Sequence, residues 1–188
     1  VEPYDKFRLL RLVLKHENPP LTIVFTNTKH GARKLAKKLH EAGIEATEIH
    51  GDLEQRQRDR VMERFRRHQI QVLVATDLAA RGIDVSAISH IINYDIPEDP
   101  DVYVHRVGRT ARMGATGVAI TFVNGEQGKE LTNVEKLINR EVPPRTVEGF
   151  EPTRPHRFGD APRPAQPAAR QAPSYAESAG HEPAPVPD

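Results

Sequence analysis

His105-Arg106-Val107-Gly108-Arg109-Thr110-Ala111-Arg112 sets four cationic or potentially cationic side chains, at 105, 106, 109 and 112, around one glycine. Residues three and four apart share a helix face, so helical spacing turns His105, Arg109 and Arg112 the same way. Arg109 and Arg112 then stand side by side with nothing nearby in sequence to neutralise them. Such a pair is costly unless an anion fills the gap, and a guanidinium that donates two parallel hydrogen bonds suits phosphate best. The stretch reads as half of a phosphate site.

Three further stretches carry chemistry. Ala75-Thr76-Asp77-Leu78-Ala79-Ala80-Arg81-Gly82-Ile83-Asp84 follows an apolar run. Thr76 or Asp77 can simply cap a helical turn, and Gly82 can simply supply a left-handed one. A threonine hydroxyl and free backbone N–H groups at a strand end can also hold a nucleic-acid phosphate. Gly51-Asp52-Leu53-Glu54-Gln55-Arg56-Gln57-Arg58 opens a helix whose many arginines are offset by Glu54, Asp59 and Glu63, a mixed and mostly solvated face. Arg58 stands out there because it shares a turn with Gly51 and Gln55. Asn27-Thr28-Lys29 can be read simply as a helix start. The histidines show no metal-ligand spacing with a supporting third ligand, and no Ser-His-Asp or paired-carboxylate pattern stands out.

The elements that must position these residues alternate. Phe7, Leu10, Val13 and Leu14 predict a helix over 5–16, ended by Pro19-Pro20. Leu21 to Phe25, about 44–49, Gln71 to Ala75, His90 to Asn93 and Gly117 to Val123 predict strands. Ala32, Leu35, Ala36 and Leu39 mark a helix closed by Gly43, and Val61, Met62 and Phe65 mark another over about 54–68. Asp99 and Pro100 suit the cap and first turn of a helix leading into the 105–112 stretch, and a last helix covers about 127–140. Strands alternating with helices imply right-handed βαβ units and a parallel sheet covered on both faces. Ligands in such sheets sit beyond the carboxyl ends of the strands, where Asn27-Thr28-Lys29, His50-Gly51-Asp52 and Thr76-Asp77 all fall.

Composition divides the chain unevenly. Eleven of the sixteen prolines lie between Pro143 and Asp188, and aliphatic residues are few there, so this part cannot offset the entropy of ordering. Residues 1–147 are expected to form the folded domain and 148–188 a disordered Pro/Ala/Arg-rich tail. The tail holds five arginines against six carboxylates from residue 143 onward, which argues against strong RNA binding by it. A net charge of +1 confines any nucleic-acid contact to a local patch. The absence of cysteine excludes disulfide scaffolds and thiol catalysis and agrees with a cytoplasmic setting. No apolar run approaches membrane-spanning length. The chain opens on Val1 without a methionine, as a piece of a longer protein would.

From Val1 to about Val147 the residues resemble the second, C-terminal RecA-like domain of DEAD-box ATP-dependent RNA helicases. The resemblance rests on Asn27-Thr28-Lys29 after its strand, Gln55-x-x-Arg58, Ala75 to Asp84, and H-R-x-G-R-x-x-R at 105–112, in the family's order and spacing. Ala111 stands where close relatives usually carry glycine. Arg140 to Pro152 resembles the bacterial RhlE-like group. The resemblance implies a RecA-like three-layer α/β fold. It implies that Thr28, Gly51, Arg58 and Thr76 touch the sugar-phosphate backbone of RNA, and that Asp84 contacts the ATP ribose. It implies further that Arg109 and Arg112 act as arginine fingers on the γ-phosphate, with His105 and Arg106 coupling the ATP and RNA surfaces.

Parts of an ATPase are missing. No G-x-x-x-x-G-K-[ST] occurs; Gly125 to Glu130 has the wrong spacing and a glutamate where a magnesium-binding hydroxyl belongs. No D-E-A-D run occurs either. ATP with Mg2+ is therefore expected to be held mainly by an N-terminal RecA-like domain of the same protein, and this chain alone, a monomer, to hydrolyse none. Two alternatives stay open: a superfamily 2 DNA helicase domain, whose groups usually have glutamine at the place of His105, and a non-catalytic RNA-binding or regulatory module.

Overall fold

Pro19-Pro20 cannot extend a helix, and the chain turns there from its first helix into its first strand. In the computed structural model, which describes residues 1–80, 83, 85, 87–110 and 117–153, helix α1 (Lys6–Glu17) closes on Asn18, whose φ of 42° is left-handed. There follow β1 (Thr22–Phe25), α2 (Lys29–Glu41), β2 (Ala46–Ile49), α3 (Gln55–Arg66) and β3 (Val72–Ala75). The short α4 (Asp77–Ala80), β4 (His90–Asn93), α5 (Pro100–Val107), β5 (Val118–Thr121) and α6 (Gly128–Ile138) complete the order.

Local chemistry sets the helix ends. After α2 the Gly43 N–H donates to His40 O and the Ile44 N–H to Leu39 O, with Gly43 at φ 79°, the paired bonds of a left-handed helix stop that favours glycine. Glu54 and Gln57 exchange side-chain and backbone bonds as a capping box on α3. The Asp99 carboxylate accepts from the Asp101 N–H at 2.9 Å, with Pro100 in the first turn of α5, as its sequence predicts.

The strands form one sheet in the order β2-β3-β1-β4-β5, parallel at every pairing. Every residue of β1, β3 and β4 is buried, which explains the apolar residues that fill their centres. Side chains alternate between two cores. Ile23, Phe25, Leu73 and Ile91 pack with Met62 and Phe65 of α3 and Ala79 of α4. Val24, Val74 and Ile92 pack with Leu10 and Val13 of α1 and Leu35 and Leu39 of α2. This is the expected RecA-like three-layer α/β fold, with helices on both faces of a parallel sheet.

Contacts with α1 continue past residue 147. Val147 and Phe150 pack on the α1–α2 core, and the Arg8 guanidinium lies 4.9 Å from the Phe150 ring centre. The Thr153 N–H and hydroxyl both donate to the Asp5 carboxylate, at 2.8 and 2.6 Å, and Arg8 also donates to the Glu151 carbonyl. Aromatic and polar anchors thus hold a segment whose prolines suggested otherwise. The remainder of the predicted tail, from residue 154, lies outside the described residues. Among the described residues no helix is long and apolar enough to cross a membrane.

Candidate functional site

The parallel register brings the carboxyl ends of β1, β3 and β4 side by side, and one residue of α5 joins them. Arg106 is 2% exposed. Its Nε and Nη2 donate to the two carboxylate oxygens of Asp77 at 2.6 and 2.8 Å. Nη1 donates to Asn93 Oδ1 at 3.2 Å and to the Asp95 carbonyl at 2.7 Å, and Nη2 to Asn27 Oδ1 at 3.1 Å. These five bonds use all five guanidinium donors, while the Phe25 ring centre lies 5.0 Å from the guanidinium carbon. Arg106 therefore has no donor left for a ligand. It is a brace that ties the loops after β1, β3 and β4 to α5.

Lys6 extends the brace, donating to Asp95 Oδ1 at 2.9 Å and to the Tyr94 carbonyl at 2.7 Å, and the other Asp95 oxygen accepts from the Asn27 N–H. Burial pushes the Tyr94 phenol up to about 12, with the neighbouring Asp95 charge acting the same way.

Helical spacing placed His105, Arg109 and Arg112 on one face. In the structure α5 ends at Val107, before Arg109. Thr110 is buried, and its hydroxyl donates to the Ile88 carbonyl at 2.7 Å, drawing the chain back toward the start of β4. Arg109 consequently sits in the turn beyond the helix. Its Nη1 makes one 3.3 Å contact with the Ile83 carbonyl, and among the described residues no carboxylate pairs with it. His105 is exposed. Both line a cavity of about 230 Å³ with Asp77, Ala80 and Val102. Asp84 and Arg112 lie outside the described residues.

Three of the four expected RNA contacts, Thr28, Gly51 and Thr76, follow the carboxyl ends of β1, β2 and β3, and Arg58 lies in the first turn of α3. Thr28 caps α2, its hydroxyl accepting from the Gly31 N–H at 3.0 Å. A Cβ on Gly31 would stand 3.0 Å from that hydroxyl, so a larger residue there would press on the cap. Gly51 differs: a Cβ would meet only Leu78, at an ordinary 3.4 Å, so the fold does not demand glycine at this exposed position. Arg58 reaches from α3 to the Ala79 carbonyl at 3.4 Å, and its buried Nε has no partner among the described residues. An unsatisfied buried donor is unfavourable, and an arriving acceptor relieves it. Thr76 is half-buried, and its hydroxyl makes no hydrogen bond among the described residues. Beside Gly51, the Lys29 ammonium holds the Asp52 carboxylate at 2.8 Å and, as its hydrogen-bond donor, keeps that carboxyl below the usual range.

Sequence reasoning missed Asn27, Asn93 and the ion-pair role of Asp77. A usable signal did exist: Asn93 directly follows Ile91-Ile92 in a buried strand, and a buried amide there demands a polar partner.

A five-stranded parallel sheet in this order, covered by helices on both faces and carrying its polar cluster at the carboxyl edge, is a RecA-like domain. Residues 5–114 match the helicase conserved C-terminal domain, and the chain belongs to that family. The ATP-dependent RNA helicase CshA of Limosilactobacillus reuteri is 43% identical over 161 residues, covering 84% of this chain and 32% of that protein. The E. coli DEAD-box protein SrmB, solved bound to regulator of ribonuclease activity A, superposes with a TM-score of 0.77 at 36% identity, covering 82% of this chain and 91% of that one. S. cerevisiae Dbp5 bound to RNA and ADP BeF3 superposes at 0.67 with 38% identity, covering 71% and 36%. The chain spans about a third of the length of the curated relatives it matches.

Proposed function

We propose that this domain is the completing half of a DEAD-box RNA helicase: it binds the RNA backbone and supplies arginine fingers to ATP held by an N-terminal RecA-like domain. The observation that carries this reading is Arg109. Its guanidinium is half-exposed beside a cavity and, among the described residues, makes one 3.3 Å contact and has no carboxylate partner. An arginine so placed is available to a phosphate, whereas Arg106, three residues earlier, is fully engaged. Asp84 for the ATP ribose and Arg112 as the second finger complete the assignment.

Thr28, Gly51, Arg58 and Thr76 contribute a hydroxyl, an open backbone, an unsatisfied guanidinium N–H and a second hydroxyl, groups suited to a sugar-phosphate backbone and indifferent to base identity. Arg106 couples the two surfaces mechanically. It grips Asn27, next to Thr28, and Asp77, next to Thr76, while standing beside His105 on α5. ATP, when bound, supplies the phosphoryl group. Among the described residues no three carboxylates or imidazoles converge to hold a metal, and the proposal leaves Mg2+ to the partner domain. The parent protein then acts in the cytoplasm as an RNA-stimulated ATPase that opens short duplexes.

The test is ATP turnover by the 188-residue chain, measured alone and then within the two-domain protein. The proposal expects none from the chain alone and RNA-stimulated turnover from the longer protein. Substantial turnover by the chain alone overturns it.

A further inference from the structure

α2 carries a surface charge that its fold does not explain. Its outer face presents Lys29, Arg33, Lys34, Lys37 and Lys38, while Ala32, Leu35, Ala36 and Leu39 are buried on the other side. The lone carboxylate of the helix is Glu41, at its last position. Lys29–Arg33, Arg33–Lys37 and Lys34–Lys38 are like-charged pairs four residues apart, a spacing at which they repel. Lys29 also sits in the first turn, where the helix dipole disfavours a cation.

Contrast with α3 shows what an ordinary solvated face does in this protein. There the arginines are interleaved with acids, and Glu63 takes both Arg67, at 2.7 Å, and Arg66. Among the described residues, only Lys29 of α2 is firmly paired, with Asp52 at 2.8 Å, and Lys37 reaches Glu41 at a loose 3.8 Å. Arg33 and Lys34 have no carboxylate within ion-pair distance among the described residues. Lys38 stands 5.4 Å from the centre of the Phe7 ring, with Arg11 of α1 at 6.0 Å from the same ring, so the stripe continues onto α1.

We infer that the outer face of α2 is a second RNA-binding surface, which holds the strand after it leaves the platform formed by Thr28, Gly51, Arg58 and Thr76. Continuity selects the occupant. Thr28 is the cap of this helix, so the stripe begins at the platform and leads away from it for about 20 Å, the length of thirteen helical residues. The cations recur on successive turns of the exposed face. The ligand they fit is a phosphate backbone, read by charge and not by sequence. This inference rests on the proposed RNA role of the platform.

The experiment is fluorescence anisotropy of the 188-residue chain with labelled single strands of about 6 and about 20 nucleotides, over a salt series. The variant is Lys34→Glu with Lys37→Gln. The introduced carboxylate stands four residues before Lys38, an orientation that favours the helix, so loss of fold is not expected. The wild-type chain should bind the long strand more tightly than the short one. The variant should lose that gain, with a salt slope smaller by about 0.7 per phosphate contact removed, while short-strand affinity stays within about twofold. A length gain of full size in the variant overturns the stripe, and so does an equal loss on both strands. Polyglutamate displacing the long strand as effectively as unlabelled RNA would assign α2 to an acidic protein and overturn it as well. Failure of the short strand to bind contradicts the platform itself.

Discussion

The Arg106 guanidinium meets the Asp77 carboxylate in two parallel bonds, 2.6 Å from Nε and 2.8 Å from Nη2, across 29 residues of sequence. The pair joins the helix that carries His105 to the loop that carries Thr76. Arg106 is buried, whereas the Asp77 side chain is 38% exposed, so water moderates the charge of one partner only. Replacing the carboxylate by an amide leaves a buried cation without its counter-charge and with one donor unmet.

Asp77→Asn should therefore destabilise the domain by about 2–3 kcal/mol, below the usual cost of breaking a fully buried pair because Asp77 is partly hydrated. Arg106→Lys should fare no better, since one ammonium cannot replace five donors in a plane. Urea denaturation at neutral pH measures both, and a change under about 0.5 kcal/mol in either would show that the brace does not support the fold.

Gly51→Ala and Arg58→Ala separate binding from folding. Alanine at 51 meets only the flexible end of Leu78, so thermal stability should hold. An added methyl where a backbone must approach closely should weaken binding of short single-stranded RNA. Loss of the Arg58 guanidinium should weaken it by roughly tenfold to a hundredfold, the range for one charged hydrogen bond. Unchanged affinity in both variants removes the platform.

Tyr94 predicts alkaline sensitivity. Its phenol is pushed from 10 to about 12 by burial. Below the ordinary phenol value the group is protonated in the folded and unfolded chain alike. Between about 10 and 12 the unfolded chain releases a proton that the folded chain keeps, so stability falls as pH rises through that window. Tyr94→Phe preserves the ring contact with Phe122, at 5.9 Å, and should flatten this decline. An equally steep decline in the variant contradicts the assignment.

Asp5 acts in the opposite direction. The Thr153 hydroxyl and N–H, with Arg8 in support, hold its carboxyl below the ordinary value. Its contribution is present above the usual carboxylate range and disappears as pH falls through the depressed value. Hydrogen-exchange protection of residues 147–153, taken relative to the intrinsic rate at each pH, should fall on acidification and in Asp5→Asn at neutral pH. Unchanged protection in the variant means that Phe150 alone anchors the segment.

The sheet was legible because Ile23-Val24-Phe25, Leu73-Val74 and Ile91-Ile92 are buried on both faces, and continuous apolar runs record that directly. The α5 cap was legible because Asp99-Pro100 acts locally. The end of α5 was not, since it depends on Thr110 bonding to Ile88, 22 residues back. For the same reason the Arg106–Asp77 pair had no local signal, and Arg106 looked like its neighbours while its chemistry differed from theirs. The packing of Phe150 and Thr153 on α1 escaped notice because single anchors in a proline-rich segment leave no periodicity.

Arg109 bears the central claim, that this domain completes a phosphate site belonging to another. The most direct measurement is RNA-stimulated ATP turnover by the two-domain protein carrying Arg109→Ala, with RNA affinity measured alongside. An arginine finger predicts a fall in turnover of about 10³-fold or more, with RNA affinity and thermal stability unchanged. Turnover within a fewfold of wild type contradicts that role.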